Sequence, residues 1–225
     1  MSDPDLPVVE AADVPADPEA PADRERVFGV LLAGGTSSRF GAANKLLADL
    51  DGEPIVARAA RSLLDADLTG VVAVLGHEAD RVRAALGVET EPADSDVTFV
   101  ENPDYADGQA TSVRAGVSAV SDAGADAAVF LPGDMPFVDP ATVDRLVDAY
   151  RAEVAPALAA AHDSQRGNPV LFDGRRFEAL SRVDGDTGGR GVLLGTDGAV
   201  LLAVDDEGVR IDIDTTDDLE RWRRR

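Results

Sequence analysis

The chain has 225 residues, 44% of them hydrophobic, enough to bury one core of ordinary domain size. Its 43 acidic residues against 21 basic ones leave a formal net charge of −22, so the surface repels nucleic acid phosphates and anionic headgroups, and neither is an expected partner. With no cysteine, disulfides, thiolate catalysis and cysteine-held zinc or iron–sulfur centres are excluded.

Residues 1–26 mix prolines and acids without a periodic apolar pattern, and are expected to form a disordered acidic tail before one domain over residues 27–225. After the tail, the runs at 27–33, 70–76, 97–101, 127–134, 169–172 and 199–204 read as short buried strands. Between them, residues 54–66 place Ile55, Val56, Ala59, Ala60, Leu63 and Leu64 on one helical stripe. Residues 139–151 open with an Asp139 cap and a first-turn Pro140. This alternation predicts an α/β fold: a three-layer α/β/α sandwich around a mostly parallel, Rossmann-like sheet, with ligands at the carboxyl ends of the strands. No apolar run approaches the roughly 18 residues of a membrane span, and the acid-rich, lysine-poor surface is that of a protein kept soluble in concentrated salt. A soluble, halophilic, cytoplasmic protein is the expectation.

The stretch LLAGGTSSRFGAANKLL, residues 31–47, comes after the first of these strands and holds Lys45, the single lysine of a chain with twenty arginines. Gly34 and Gly35 allow backbone N–H groups to approach a ligand, Ser37 adds a hydroxyl, and Arg39 and Lys45 bring two positive charges, which together make an anion cradle. It matches neither the P-loop nor the dinucleotide fingerprint, which disfavours a generic ATPase or dehydrogenase. The alternative, a surface turn with an accidental lysine, accords poorly with a chain that uses arginine everywhere else.

Further on, LPGDMP (131–136) ends a strand with an isolated acid, Asp134, beside the cradle, where a Mg²⁺ would sit between protein and triphosphate. Asp139 already fills the cap of the next helix, which weakens the reading of Asp134 as a cap. Residues 102–117 read as a loop entering a helix, with Gly108 permitting close approach and Thr111 and Ser112 at the helix start; a well-capped helix satisfies the same pattern. In RIDIDTTDD (210–218), alternation puts Asp212 and Asp214 on one strand face and Asp217 and Asp218 at a helix start, and a solvated acidic surface explains that pair equally well. His77 and His162, the two histidines, are assigned no catalytic role.

The loop at 31–47 is similar to the signature of the nucleotidyltransferases that activate molybdopterin. With NPDYADGQATSVRAGV (102–117), LPGDMPFVDP (131–140), GNPVLF (167–172), GDTGGRGVLL (185–194) and DIDTTDDL (212–219), the chain resembles the molybdenum cofactor cytidylyltransferase family over roughly residues 27 to 225. The resemblance implies transfer of CMP from CTP to the phosphate of molybdopterin or molybdenum cofactor, release of pyrophosphate, Mg²⁺ as cofactor, and transient contact with a recipient molybdoenzyme. It implies catalytic roles for Arg39, Lys45 and Asp134, and a nucleotide site at Leu32, Ala33, Gly34, Gly35, Ser37, Arg39, Lys45, Gly108 and Ser112. Substrate contacts fall on Asn102, Asn168, Asp186 and Arg190, and metal ligation on Asp134, Asp214 and Asp212. One departure concerns the base: Ala33-Gly34-Gly35 replaces the Ala-Ala-Gly common in the cytidylyl branch and matches the GTP-using sister branch. That departure leaves a guanylyltransferase using GTP as one alternative; a sugar-phosphate or phospholactate nucleotidyltransferase, which shares the loop and the Asp but not the later blocks, and a non-catalytic molybdopterin-binding chaperone are the others.

Overall fold

The computed structural model describes residues 6–15, 25–37, 39–41, 43–87, 97–186 and 188–223. Its strands are β1 (Val8–Glu10), β2 (Val27–Ala33), β3 (Asp49–Leu50), β4 (Glu53–Pro54), β5 (Gly70–Leu75), β6 (Val97–Glu101), β7 (Ala127–Pro132), β8 (Ala157–His162), β9 (Gln165–Asp173) and β10 (Val200–Ala203). The helices are α1 (Ile55–Leu64), α2 (Ala79–Ala85), α3 (Gln109–Asp122), α4 (Pro140–Arg151), α5 (Phe177–Leu180), α6 (Arg190–Leu194) and α7 (Thr216–Trp222). Eight strands form one sheet in the order β1-β10-β8-β9-β7-β2-β5-β6, while β3 and β4 make a separate small hairpin. Within the large sheet β9 runs antiparallel to both neighbours, β7 and β8, and every other pairing is parallel.

The continuous apolar runs arise because both sheet faces are covered. Val27 and Leu31 of β2 point into one core, with Val56 and Leu63 of α1, Val82 of α2 and Leu146 of α4. Phe28 and Val30 point into the other, with Val117 of α3, Leu180 of α5 and Leu193 of α6. Each such fully buried Leu or Val contributes roughly 1.5–3 kcal/mol. Helix α4 begins as its sequence requires, with the Asp139 carboxylate accepting from Ala141 N–H at 2.9 Å and Pro140 in the first turn.

Three expectations need correction, and one strand, β8, was not anticipated. The disorder expected over residues 1–26 does not hold for residues 6–15: β1 pairs in parallel with β10, Ala11 and Val14 are buried, and the Arg145 guanidinium donates to the carbonyls of Ala11 and Val14. A few apolar residues among prolines suffice there because a sheet edge and a ready donor meet them; residues 1–5 and 16–24 lie outside the described residues. Strand β8 was hidden by its composition, since ALAAAH reads as helix by propensity. Between β10 and β9, its alanines fit under both layers, Ala157, Ala159 and Ala161 on one side and Leu158 and Ala160 on the other, and tertiary burial overrides propensity. Strand β7 stops at Pro132, which leaves Asp134 on the turn beyond it rather than in the strand. Residues 211–214 are not a strand, although their alternation survives: Ile213 is buried while Asp212 and Asp214 face a cleft.

Candidate active site

At the carboxyl ends of β2 and β7 lies a cleft of about 920 Å³. Its floor begins with the backbone after β2. A Cβ on Gly34 would lie 2.7 Å from Ser112 Oγ, and one on Gly76 would lie 2.6 Å from Gly34 O, so two glycines let this loop, the end of β5 and the start of α3 close on one another. Ser37 takes a left-handed backbone (φ 56°), which aims its hydroxyl back at the turn beyond it. Ser37 Oγ donates to Asn44 Oδ1 at 3.2 Å and accepts from Lys45 N–H at 3.1 Å, and Asn44 Oδ1 also accepts from Leu46 N–H. Asn44 thereby caps the short 3₁₀ turn Lys45–Leu47, which fixes where the lysine side chain starts.

From that turn Lys45 Nζ donates to Asp134 Oδ2 and to Asp214 Oδ1, both at 2.6 Å, with only 12% of its side chain exposed. Arg39, largely exposed, pairs with the other Asp214 oxygen at 2.7 Å. Burial works against the Lys45 ammonium, but the charges and hydrogen bonds of Asp134 and Asp214 outweigh it and hold the pKa above the ordinary lysine value. Asp212 responds in the opposite sense: partial desolvation in the cleft wall, then the nearby Asp134 and Asp214 charges, push its carboxyl up despite some attraction from Lys45. Backbone bonds tie the segments together, with Gly133 N–H on Leu32 O and Ile213 N–H on Asp134 O, each at 2.9 Å.

This donor set fits a hard divalent cation. Two carboxylates already share one positive charge, a third stands beside them, and Mg²⁺-like ions are commonly held by one or two carboxylates together with waters and substrate phosphates. Among the described residues no group of three or more His, Cys, Asp or Glu side chains is placed to hold a metal ion by itself.

The opposite wall comes from α3 and the turn at 185–186. Gly108 (φ 111°) leaves no room for a Cβ, since one would lie 2.7 Å from Asp186 Oδ1, and Ala110 N–H donates to Gly185 O. That contact swings Asp186 into the cleft. Next to it opens a smaller cavity of about 330 Å³ that shares Gln109, Arg166, Asn168 and Asp186 with the main cleft and adds Arg190 over an apolar floor of Val113, Phe130 and Phe172.

The structure thus gathers Leu32, Gly34, Gly35, Ser37, Arg39, Lys45, Gly108, Ser112, Asp134, Asn168, Asp186, Asp212 and Asp214 around one cleft, with Arg190 in the adjoining cavity. Two expected residues are not on its wall. Ala33 is buried in the core beneath the loop. Asn102 is buried as a bracket, its amide donating to Thr111 Oγ1 at 2.8 Å and Ser112 Oγ at 3.0 Å, so it orients the start of α3 from behind. His77 lies beside Tyr105 with the two rings tilted at 48°, His162 contacts Val204 O, and neither lines the cleft. Gln109, Arg166 and Arg210 were missed; a surface arginine or glutamine carries no local sequence signal that separates it from solvated neighbours.

A glycine-rich turn on an open, mostly parallel sheet, facing a lysine and carboxylates at the strand ends, defines an α/β nucleotidyltransferase. The chain belongs to the MobA-like NTP transferase domain family, which matches residues 29–200. It is 32% identical over 202 residues to the nicotine blue oxidoreductase of Paenarthrobacter nicotinovorans, covering 87% of this chain and 95% of that protein. A probable molybdenum cofactor guanylyltransferase of Haloferax mediterranei is 34% identical over 118 residues, 52% of each chain. The crystal structure of Rv0371c from Mycobacterium tuberculosis matches with a TM-score of 0.76 at 28% identity, covering 89% of this chain and 99% of that one, and the same protein complexed with manganese matches with 0.70. No helix among the described residues is long and apolar enough to cross a membrane.

Proposed function

We propose that the protein transfers CMP from CTP to the terminal phosphate of molybdopterin, with or without bound molybdenum, and releases pyrophosphate. The observation that carries this reading is the bridge of Lys45 to both Asp134 and Asp214 at the mouth of the glycine loop, a compact cation among carboxylates where a triphosphate and a divalent ion would meet. An acceptor phosphate oxygen attacks the α-phosphorus in line; the bond from that phosphorus to the bridging oxygen breaks, and pyrophosphate leaves with the electron pair. No covalent enzyme intermediate is needed, so catalysis consists of positioning and charge compensation. Lys45 and Arg39 neutralise phosphate oxygens, and backbone N–H groups of residues 34–37 donate to developing charge.

The proposed metal ligands are Asp134 and Asp214, with Asp212 completing the shell. Mg²⁺ is the expected ion, and the manganese complex of Rv0371c supports a divalent cation. Held by these carboxylates, such an ion would supply positive charge to offset that of the phosphates. The smaller cavity, with Asn168, Asp186 and Arg190 over an aromatic floor, suits a flat, hydrogen-bonding heterocycle that carries a phosphate, which is the chemistry of the acceptor.

A second reading, guanylyl transfer from GTP, is favoured by Gly34 beside Gly35 and by the Haloferax relative. The cytoplasm, high salt and brief contact with a recipient molybdoenzyme are the proposed setting, in accord with the charge of −22. The test offers CTP, GTP, ATP and UTP separately with molybdopterin, in concentrated KCl with Mg²⁺ or Mn²⁺, and tracks pyrophosphate and the dinucleotide. CTP preference is expected, and GTP preference moves the protein to the second reading. No product from any nucleotide, with redox turnover of nicotine blue instead, overturns both, since one fold hosts unrelated chemistries.

A further inference from the structure

The family match ends at residue 200, yet the chain beyond it delivers Arg210, Asp212 and Asp214 to the cleft. That segment is threaded tightly over the strand ends. A Cβ on Gly208 would fall 2.0 Å from Phe137 O, and one on Gly167 would fall 2.1 Å from Val209 O, so glycine at both positions lets the 207–210 turn wedge between the loop after β7 and strand β9. Asp206 ties the turn to α4, accepting from Asp139 N–H at 3.0 Å, Thr142 Oγ1 at 2.8 Å and, through its other oxygen, Gly208 N–H at 2.8 Å.

Past this turn the chain enters a third core, separate from the two that flank the sheet. Phe40, Leu50, Ile55, Ile213 and Leu219 are buried together, with Phe137 and Trp222 packed against them at a ring separation of 4.9 Å. Two of these residues are chain neighbours of charged groups in the cleft: Phe40 comes directly after Arg39, and Ile213 lies between Asp212 and Asp214. Helix α7, which supplies Leu219 and Trp222, starts just beyond Asp214, with Thr215 as its N-cap. Its start is fixed by a capping box in which Thr215 Oγ1 accepts from Asp218 N–H and the Asp218 carboxylate accepts from Thr215 N–H at 2.9 Å.

We infer that Ile213, Leu219 and Trp222 are positioning residues: by packing with Phe40 in this small core they hold Asp214 opposite Asp134, so that helix α7 sets the affinity of the cleft for a divalent cation. The inference rests on the proposed ligation of a metal by Asp134 and Asp214. Ile213 is joined to the site through its backbone, with Asp212 and Asp214 as its chain neighbours and its N–H donating to Asp134 O at 2.9 Å, so the three act through the backbone on either side of Ile213. Supporting contacts behind metal ligands commonly change affinity as strongly as some ligands do.

The test measures Mn²⁺ binding to the full chain by electron paramagnetic resonance of the free ion, in concentrated KCl to suppress binding to the acidic surface. The variants are Leu219→Ala, the conservative Leu219→Met, Val120→Ala in a distant core as a control for lost stability, and Asp134→Asn as the baseline without the site. Leu219→Ala is expected to bind Mn²⁺ roughly tenfold more weakly, with Leu219→Met and Val120→Ala close to wild type and the folded fraction of each checked by circular dichroism. Wild-type affinity in folded Leu219→Ala overturns the inference and leaves the metal reading intact, as does an equal loss in Val120→Ala. Wild-type protein that binds Mn²⁺ no better than Asp134→Asn overturns the metal reading and the inference with it. If Leu219→Ala does not fold, Trp222→Phe decides on the same measurement: weakened binding supports the inference and unchanged binding overturns it.

Discussion

Lys45 and Asp214 are 169 positions apart in the chain and 2.6 Å apart in the fold. The contact closes the cleft between the loop after β2 and the C-terminal segment, and Asp134 shares the same ammonium. Removing that charge leaves the Asp134, Asp212 and Asp214 carboxylates together without it. Lys45→Ala is expected to lower turnover by roughly 100-fold or more and to cost about 2 kcal/mol of stability through lost charged hydrogen bonds. Lys45→Arg should restore the charge but little of the turnover, because a planar guanidinium does not replace a compact ammonium at two oxygens. Steady-state kinetics and urea unfolding of both variants check this; wild-type turnover in Lys45→Ala would exclude a phosphate-neutralising role.

The same pair sets a pH dependence. The folded-state pKa of Lys45 lies above its ordinary value of 10.5, so its contribution is fully present below that value and is lost as pH rises through the folded pKa. The stability difference between wild type and Lys45→Met should therefore be flat from neutral pH to about 10 and shrink above it. Urea midpoints across that range provide the check, and a difference that disappears already at neutral pH would contradict the buried bridge.

Asp212 carries the opposite sign. Its carboxyl is pushed up, so the folded state favours its protonated form, and stability falls as pH rises from the ordinary carboxylate pKa through the folded one. Without divalent cation at neutral pH, Asp212→Asn is expected to raise Tm. With saturating Mn²⁺ the gain should shrink or reverse, because the ion stabilises more strongly the protein that keeps all three carboxylates. Calorimetry with and without chelator distinguishes this from a purely solvated surface acid, for which neither condition moves Tm.

Gly34 and Ser112 are coupled by space. A Cβ at position 34 meets Ser112 Oγ at 2.7 Å, and that hydroxyl is engaged by the Asn102 amide. Gly34→Ala is expected to cost about 1–3 kcal/mol, and Gly34→Ala with Ser112→Ala to recover most of it, a coupling readable in a double-mutant cycle. Nucleotide preference measured on the same proteins tests whether position 34 also selects the base.

The N-terminal strand predicts its own cost of removal. Deleting residues 1–15 exposes the edge of β10 and leaves Arg145 without two carbonyl acceptors. A loss of about 2–4 kcal/mol is expected from the buried Ala11 and Val14 with those hydrogen bonds. An unchanged urea midpoint would show that the segment does not contribute to folding.

The features legible in the sequence were those whose physics is local. Strands β2, β5 and β7 are unbroken apolar runs because both faces are covered, and α4 announces itself with Asp139 and Pro140 at its start. The residues that the loop brings to the cleft were equally readable, since Gly34, Gly35, Arg39 and the lone Lys45 stand out against an arginine-using chain. The rest depended on which elements meet in three dimensions. Packing made ALAAAH a strand by placing it between two others, and it gave Val8–Glu10 an edge to pair with. It turned Asn102 inward and brought Asp214 to Lys45 across the sheet. Sequence spacing encodes periodicity along one element, whereas the meeting of elements is set by packing over long range, and no local pattern carries that information.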